Sequence, residues 1–225
     1  MDTTSNKKEN NVFAKGLCFY KLFWIFIVGC VVGVLTETLY CLILGGNFEV
    51  RWGVIYGPFN PVYGFGTVLT TIVLYRFSKL SKLKIFLSSM LLGGAYEYLC
   101  SFFQEFTLGT ISWNYEGKFF NLGGRTSLGY ILCWGFLGLL WVKNIYPKVS
   151  DWIESFPLKV GKVLTWILFV FMIFNMLISS LAVYRYSSRY SNITAKNNFE
   201  TFLDKAYPDE MLKRVYPNMK IVKRL

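Results

Sequence analysis

The sequence predicts an all-α, polytopic integral membrane protein with about five transmembrane helices. Three observations support this fold class: 54% of the 225 residues are hydrophobic, only 16% are charged, and the apolar residues stand in long runs. Soluble domains average about 25% charged residues, so little surface is available here to face water. A helix needs about 20 apolar residues to cross the hydrocarbon layer. The expected partner is therefore the lipid bilayer, and the composition argues against a soluble enzyme or a nucleic-acid-binding module.

Five stretches are long enough to be spans, and they divide the chain into three parts. The spans are predicted at 22–44, 61–77, 83–106, 126–145 and 160–184; the second is the shortest and is rich in Gly and Thr. On this basis residues 1–20 form a cytoplasmic N-terminal tail, 21–184 a five-helix transmembrane domain and 185–225 a basic C-terminal tail. Residues 1–16 are polar, so we expect no cleavable signal sequence there.

Lysine and arginine are distributed unevenly over the predicted flanks, which indicates orientation. Twelve of the 24 lie in the N-terminal tail and in the second and fourth connections, whereas the first and third connections hold three: Arg51, Lys118 and Arg125. Because basic flanks remain in the cytoplasm, we expect a cell-membrane protein with a cytoplasmic N-terminus. Five crossings then place the C-terminal tail outside, whereas its nine basic residues favour the inside. The two criteria disagree on the side of this tail.

The residue inventory excludes several kinds of chemistry. The chain has no histidine, which excludes His-based nucleophilic catalysis and His-ligated zinc. Its five cysteines show no C-x-x-C spacing, so neither a metal site nor a disulfide framework is indicated. We therefore expect no enzymatic activity, no catalytic residue, no metal and no cofactor. An intramembrane hydrolase with two glutamates as acid and base is a remaining alternative, but no nucleophile accompanies them.

The first and third spans share a short pattern that indicates an internal repeat. Gly33 precedes Glu37 in one span and Gly93 precedes Glu97 in the other, both as G-x-x-x-E-x-L. Because both spans run in the same direction, the repeat would be parallel and would relate spans 1–2 to spans 3–4. Chance similarity between two membrane helices is the alternative.

The two glutamates are the strongest candidates for a functional site. A carboxylate at membrane depth costs about 2.5–3.5 kcal/mol on insertion scales, so both side chains are expected to face protein or water. Their expected counter-charges are Arg51 and Arg125, because an arginine can bind a carboxylate through two parallel hydrogen bonds. Two interpretations stay open: buried ion pairs that lock the bundle, or a polar, outward-facing substrate site. In the second, the outer vestibule would be lined by Tyr56, Asn60, Tyr63, Trp113 and Asn121.

The connection at 51–66 supports the second interpretation. It reads RWGVIYGPFNPVYGFG, and its two prolines and four glycines exclude a straight helix. Non-helical backbone near membrane depth persists only where it is buried in protein or lines a cavity.

These residues, taken together, resemble a bacterial family, the putative ABC-transporter permeases, also called putative ABC-transporter type IV. The matching blocks are RWGVIYGPFNPVYGFG, Gly33…Glu37-x-x-Tyr40, Glu97-Tyr98-Leu99, Trp113-Asn114-Tyr115, Asn121-Leu-Gly-Gly-Arg125 and Trp134-Gly135…Pro147, within 22–181. The resemblance implies a multi-spanning permease-like subunit that works with a separate ATPase subunit. This chain has no P-loop lysine motif of its own.

Three positions depart from the family pattern. Asn114 and Tyr146 stand where the blocks carry aspartate and histidine, and Asn175 stands where relatives often carry aspartate. These changes weaken any proton-linked role at those positions.

The alternative function is a non-transporting interaction or regulatory protein. Its handle would be an amphipathic helix at 197–216, interrupted at Pro208, that rests on the membrane surface.

Overall fold

A computed structural model of the chain describes residues 12–46, 48, 51–75 and 78–222. Its elements in chain order are α1 (Phe19–Gly45), α2 (Pro61–Leu74), α3 (Lys82–Leu108), β1 (Thr110–Ile111), α4 (Leu128–Leu140), α5 (Tyr146–Glu154), α6 (Leu158–Tyr190), α7 (Asn198–Ala206), α8 (Asp209–Val215) and β2 (Lys220–Ile221). The predicted all-α membrane class is confirmed. Residues 1–11 of the predicted N-terminal tail, the last two residues of the second predicted span (76 and 77) and residues 223–225 of the C-terminal tail lie outside the described ranges.

Within the part of the chain that the structure describes, four helical segments are long and apolar enough to cross a membrane, and a fifth is shorter. The four are Phe19–Ile43, Lys82–Leu108, Leu128–Glu154 and Leu158–Tyr190; the second predicted span is the 14-residue helix α2. At about 1.5 Å per residue, α2 rises roughly 21 Å, less than the hydrocarbon thickness. The non-helical segment 51–60 therefore leads into the bundle and joins the short helix at its first residue, Pro61.

The fourth span is one helical rod with a local change of pitch. A π-helical turn at Trp141–Ile145 joins α4 to α5, and the backbone N–H of Tyr146 bonds to the carbonyl of Trp141, five residues back. Pro147 explains the turn, because proline has no N–H to give to the carbonyl four residues earlier. The helix therefore widens immediately before the proline and then continues.

Helices α1 and α2 form an antiparallel pair, here called hairpin A. Small residues allow the two backbones to approach closely. A Cβ added at Gly33 would overlap the side chain of Tyr63, and one added at Gly29 would meet the Thr67 hydroxyl at 2.6 Å. A Cβ added at Gly64 would meet Phe26 at 2.7 Å. The small residues therefore fix which turns of the two helices face each other.

Helices α3 and α4 form hairpin B, which packs in the same way. A Cβ at Gly93 would overlap the side chain of Trp134, and one at Gly138 would overlap that of Ser89. A Cβ at Gly135 would meet Phe86 at 2.7 Å. The pattern of hairpin A therefore recurs one helix pair later.

The packing of the two hairpins is related by a constant shift. Adding 60 to the residue numbers of α1 and 71 to those of α2 converts each of these contacts of hairpin A into the corresponding contact of hairpin B. The aromatic contacts obey the same rule: Phe26 and Phe65 have ring centroids 4.7 Å apart, and Phe86 and Phe136 have theirs 4.8 Å apart. The repeat indicated by the sequence is therefore a repeat of packing register, with Glu37 and Glu97 at equivalent places.

Helix α6 and the two terminal segments complete the bundle. At one end, Phe13 stacks on Phe156 with ring centroids 6.2 Å apart, next to Gly161. At the other end, β2 pairs antiparallel with β1, directly after α3. The C-terminal tail thus lies on the same side as the first and third connections, which we call the outer end. Five apolar helical segments, of which α2 is the short one, lie between the two ends of the chain, and an odd number of them brings the tail to this end.

Candidate functional site between the two hairpins

Glu37 lies in hairpin A and has two partners. Its Oε2 accepts a hydrogen bond of 2.6 Å from the Tyr63 hydroxyl, and its Oε1 lies 3.5 Å from Nη1 of Arg51. The same guanidinium donates to Sγ of Cys41 at 3.0 Å. The predicted pairing of Glu37 with Arg51 is therefore present, and both side chains are only partly buried, with 28% and 20% of their surface exposed.

Asn60 connects this pair to the start of α2. Its Oδ1 accepts from the backbone N–H of Val62 at 3.1 Å, which caps the helix, and Pro61 occupies the first helical position. Its Nδ2 donates to the carbonyl of Arg51 at 3.3 Å. Asn60 thus holds the backbone of the arginine against the beginning of the helix that carries Tyr63.

Glu97 occupies the equivalent place in hairpin B and is more deeply buried, with 7% of its surface exposed. Its Oε1 accepts from the Tyr115 hydroxyl at 3.0 Å and its Oε2 from the Thr126 hydroxyl at 2.6 Å. The Trp134 side chain also lies close enough to act on this carboxyl group. Tyr63 and Trp134 therefore occupy equivalent places. Each packs against a glycine four positions before a glutamate: Tyr63 against Gly33 and Trp134 against Gly93.

The expected pairing of Glu97 with Arg125 is wrong. The Arg125 guanidinium lies 2.5 Å from Oε2 of Glu105 and donates to the Ser101 hydroxyl at 3.3 Å. It also lies over the ring of Phe102, 5.5 Å from its centroid. Hydroxyl donors already satisfy the buried carboxylate, whereas Glu105, 30% exposed, lets the arginine keep part of its hydration.

Several tyrosines lie near the two glutamates. Tyr115 stacks on Tyr130 with centroids 4.0 Å apart, and Tyr130 lies close to Tyr40 of hairpin A. Burial, and after it the charge of Glu97, raises the pKa of the Tyr115 hydroxyl well above its ordinary range. Tyr63 lies close enough to both carboxylates for each charge to act on it. Both carboxylates therefore lie within electrostatic reach of one tyrosine, and we call the region between them the polar interior.

The remaining predicted vestibule residues lie elsewhere in the outer connections. The Tyr56 hydroxyl contacts that of Tyr207 in the tail at 2.9 Å. The indole of Trp113 donates to the carbonyl of Arg125 at 2.9 Å, and Asn121 bonds to backbone groups within its own turn. These three residues shape the outer connections and are not brought to the carboxylates, whereas Asn60 and Tyr63 are.

Sequence reasoning missed several residues of the site. The carboxyl group of Glu97 is surrounded by Thr126, Tyr115 and Trp134. Asn175, fully buried in α6, bonds to both the N–H and the C=O of Tyr56, at 3.1 and 2.7 Å. A lone amide in the most apolar predicted span was the available signal for Asn175. Across the described ranges, no group of three or more His, Cys, Asp or Glu residues is arranged to hold a metal ion.

Comparison with known proteins places the chain in a family. A model of the family described as Putative ABC-transporter type IV matches residues 24–180, which cover α1 to most of α6 and include both glutamates. No curated protein and no solved structure matches the chain. The match covers well over half of the sequence, in the region where the resemblance of motifs was found. The chain belongs to the Putative ABC-transporter type IV family of membrane proteins.

Proposed function

We propose that the chain is the permease-like subunit of an ABC transporter and that the polar interior between hairpins A and B is its substrate site. The site would face outward, and the N-terminus would be cytoplasmic in the cell membrane. ATP hydrolysis is assigned to a separate ATPase subunit, and no catalysis is assigned to this chain.

The nearness of Tyr63 to both carboxylates carries the proposal. Glu37 and Glu97 occupy equivalent places in two hairpins, and Tyr63 is within electrostatic reach of both. Carboxylates inside a membrane bundle are expensive to bury and commonly mark substrate or ion pathways. Helix α2 is too short to cross the hydrocarbon layer alone, and the connection before it brings Arg51 and Asn60 to the same site. A polar site fed from the outer end is consistent with this arrangement.

The interpretation of Glu37 and Glu97 as a structural lock predicts something different. Buried polar pairs can be replaced without loss of function when their only role is packing. The Glu37–Arg51 pair in hairpin A is partly exposed, and its N–O distance of 3.5 Å is longer than that of a direct hydrogen bond, which favours a pair that can exchange partners. In hairpin B, the described hydrogen-bond partners of the Glu97 carboxylate are two neutral hydroxyls, those of Tyr115 and Thr126, so the carboxyl group is held without a basic partner in these bonds.

The first experiment tests the partner. The chain is purified in a mild detergent through an affinity tag, and co-eluting proteins are identified by mass spectrometry. We expect an ATPase with a P-loop to co-purify and to hydrolyse ATP in the assembly. If no ATPase co-purifies from native membranes, the permease role fails and the non-transporting interaction protein is favoured.

The second experiment tests the site. ATP hydrolysis of the reconstituted assembly is compared between the wild type, the Glu37→Gln plus Glu97→Gln double variant, and Glu116→Gln, an exposed acid of the third connection that serves as the matched control. We expect the double variant to assemble normally but to lose most of its transport-linked hydrolysis, while the control behaves as the wild type. Full activity of the double variant would refute the site.

A further inference from the structure

The segment after α6, residues 191–222, is an ordered strap at the outer end of the bundle. It carries α7, α8 and β2, and Pro208 separates its two helices as the sequence predicted. Leu203 and Leu212 are at most 1% exposed and pack against Ile178 of α6 and Ile55 of the first connection. Leu203 of α7 is therefore directed into the protein, whereas Phe199 and Phe202 of the same helix are exposed.

Five charged groups fix the base of the strap to α6. Arg185, 3% exposed, forms a fork with Asp204, at 3.0 Å from Nε and 2.7 Å from Nη2, and it bonds to Glu200 at 3.2 Å. Arg189 also bonds to Asp204 and lies 2.6 Å from Asp209. The hydrogen bond from Arg185 is the main cause that lowers the pKa of Asp204. Fork-type pairs of this kind are geometrically specific and strong.

The strap touches both hairpins. It reaches hairpin A through the Tyr207 hydroxyl, 2.9 Å from that of Tyr56. It reaches hairpin B through β2, where Ile221 pairs with Thr110, and through the N–H of Val222, which donates to the carbonyl of Gly109 at 2.9 Å. Gly109 ends α3, and Tyr56 lies in the connection that ends at α2. The strap therefore bridges the outer ends of the two helix pairs that border the polar interior.

The contacts to hairpin B are weaker than the contacts to α6. The strap holds α6 through charged forks and a buried apolar cluster that also includes Ile55 of the first connection, but it holds hairpin B through a two-residue ladder and one further backbone bond. Segments with few buried apolar contacts open first. The hairpin B side is therefore the side on which the strap releases, with α6 as its anchor.

We propose that the strap is a releasable clamp across the outer ends of hairpins A and B, and that the polar interior opens outward only when this clamp lets go. The inference rests on the proposed function, because only a site that exchanges substrate needs to open. While the strap is seated, the two hairpins cannot separate at the outer end without breaking either the β1–β2 ladder or the Tyr56–Tyr207 contact.

A disulfide across the ladder tests the clamp. Ile111 and Lys220 are paired in register, so Ile111→Cys with Lys220→Cys would cross-link the strap to hairpin B on oxidation. Cys41, whose Sγ contacts Arg51, is a native reporter at the site. The other native cysteines are replaced by alanine, the protein is placed in nanodiscs, and alkylation of Cys41 by a charged maleimide is followed by mass spectrometry of its peptide.

We expect oxidation to slow alkylation of Cys41 by about tenfold, and reduction followed by desalting to restore the rate, because the rate follows the population of the open form. Equal rates before and after oxidation would overturn the clamp, and so would failure of the disulfide to form. Lys220→Cys alone, which cannot cross-link to hairpin B, is the matched control. The partner experiment above is unaffected by these outcomes, so the clamp and the permease role can fail separately.

Release of the anchor gives a second, opposite test. Asp204→Asn weakens the bonds to both arginines, and we expect it to speed alkylation of Cys41 several-fold by unseating the strap. Glu210→Gln changes an exposed acid of α8 and should leave the rate unchanged. A rate in Asp204→Asn that equals the rate in Glu210→Gln would count against the clamp.

Discussion

The repeat of packing register makes a quantitative prediction at two glycines. Gly33 and Gly93 each lie under an aromatic residue of the partner helix, at the atoms nearest the backbone, Cβ and Cγ. A methyl group at either position would be about 1 Å closer than the 3.4–4 Å of ordinary contact. Because Cβ and Cγ cannot swing away, the helices themselves must move apart.

The expected cost follows from overpacking. Extra methyl groups in a well-packed interior cost about 1–3 kcal/mol. For a chain of 150–250 residues, each 1 kcal/mol lowers the melting temperature by about 2–4 °C, so Gly33→Ala and Gly93→Ala should each lower it by about 2–12 °C. Equivalent places in the two hairpins predict losses of similar size for the two variants.

Thermal unfolding in detergent, followed by circular dichroism, measures the effect. Gly129→Ala is the matched control: Gly129 is also helical, but nothing lies within 4 Å of an added Cβ. The control should be neutral or should gain up to about 1 kcal/mol from the higher helix propensity of alanine. If Gly33→Ala and Gly93→Ala melt together with Gly129→Ala, the close approach of the helices, and with it the packing repeat, is refuted.

Three further predictions concern other parts of the molecule. Asn175→Leu leaves the N–H and the C=O of Tyr56 without their amide partner, so we expect a loss of about 1–3 kcal/mol in unfolding free energy and faster amide exchange at Tyr56. Lys21→Met removes a fully buried ammonium that lies 2.7 Å from a carboxylate and should cost about 1–3 kcal/mol by thermal unfolding, whereas Lys159→Met, at an exposed position, should be neutral. Because the pKa of Asp204 is lowered in the folded chain, the stability that its ionised carboxylate contributes is fully present above the ordinary pKa of 3.8. This stability is lost as the pH falls through the pKa of the folded state, so proteolysis of the strap should rise only in that acid range.

Much of the fold could be predicted from sequence because membrane burial depends on local composition. The apolar runs gave the four helices that are long enough to cross a membrane, with ends that differ from the predicted ends by up to nine residues, and two glutamates in such runs identified the interior-facing sides of two helices. Helix α2 begins at the predicted residue, but at 14 residues it is too short for a full span. A short helix next to irregular backbone has no distinctive hydrophobic period, so composition alone does not show where the helix begins and ends.

The partners of the glutamates could be predicted only in part. Arg51 lies 14 residues after Glu37, close enough in sequence for a single connection to bring them together. Arg125 meets Glu105 instead of Glu97 because the third connection folds back over the outer turns of α3. Thr126 has no sequence signal at all, since a threonine at the start of an apolar run is ordinary.

The sequence by itself determined that the chain crosses a membrane, which helices carry carboxylates, and to which family the chain belongs. Those features depend on residue type and spacing along one helix. Only the tertiary structure decided that hydroxyls rather than Arg125 satisfy Glu97, and that the C-terminal tail bridges the two hairpins. The reason is physical: these contacts join residues from different elements, and which of several compatible donors reaches a carboxylate depends on how the helices pack.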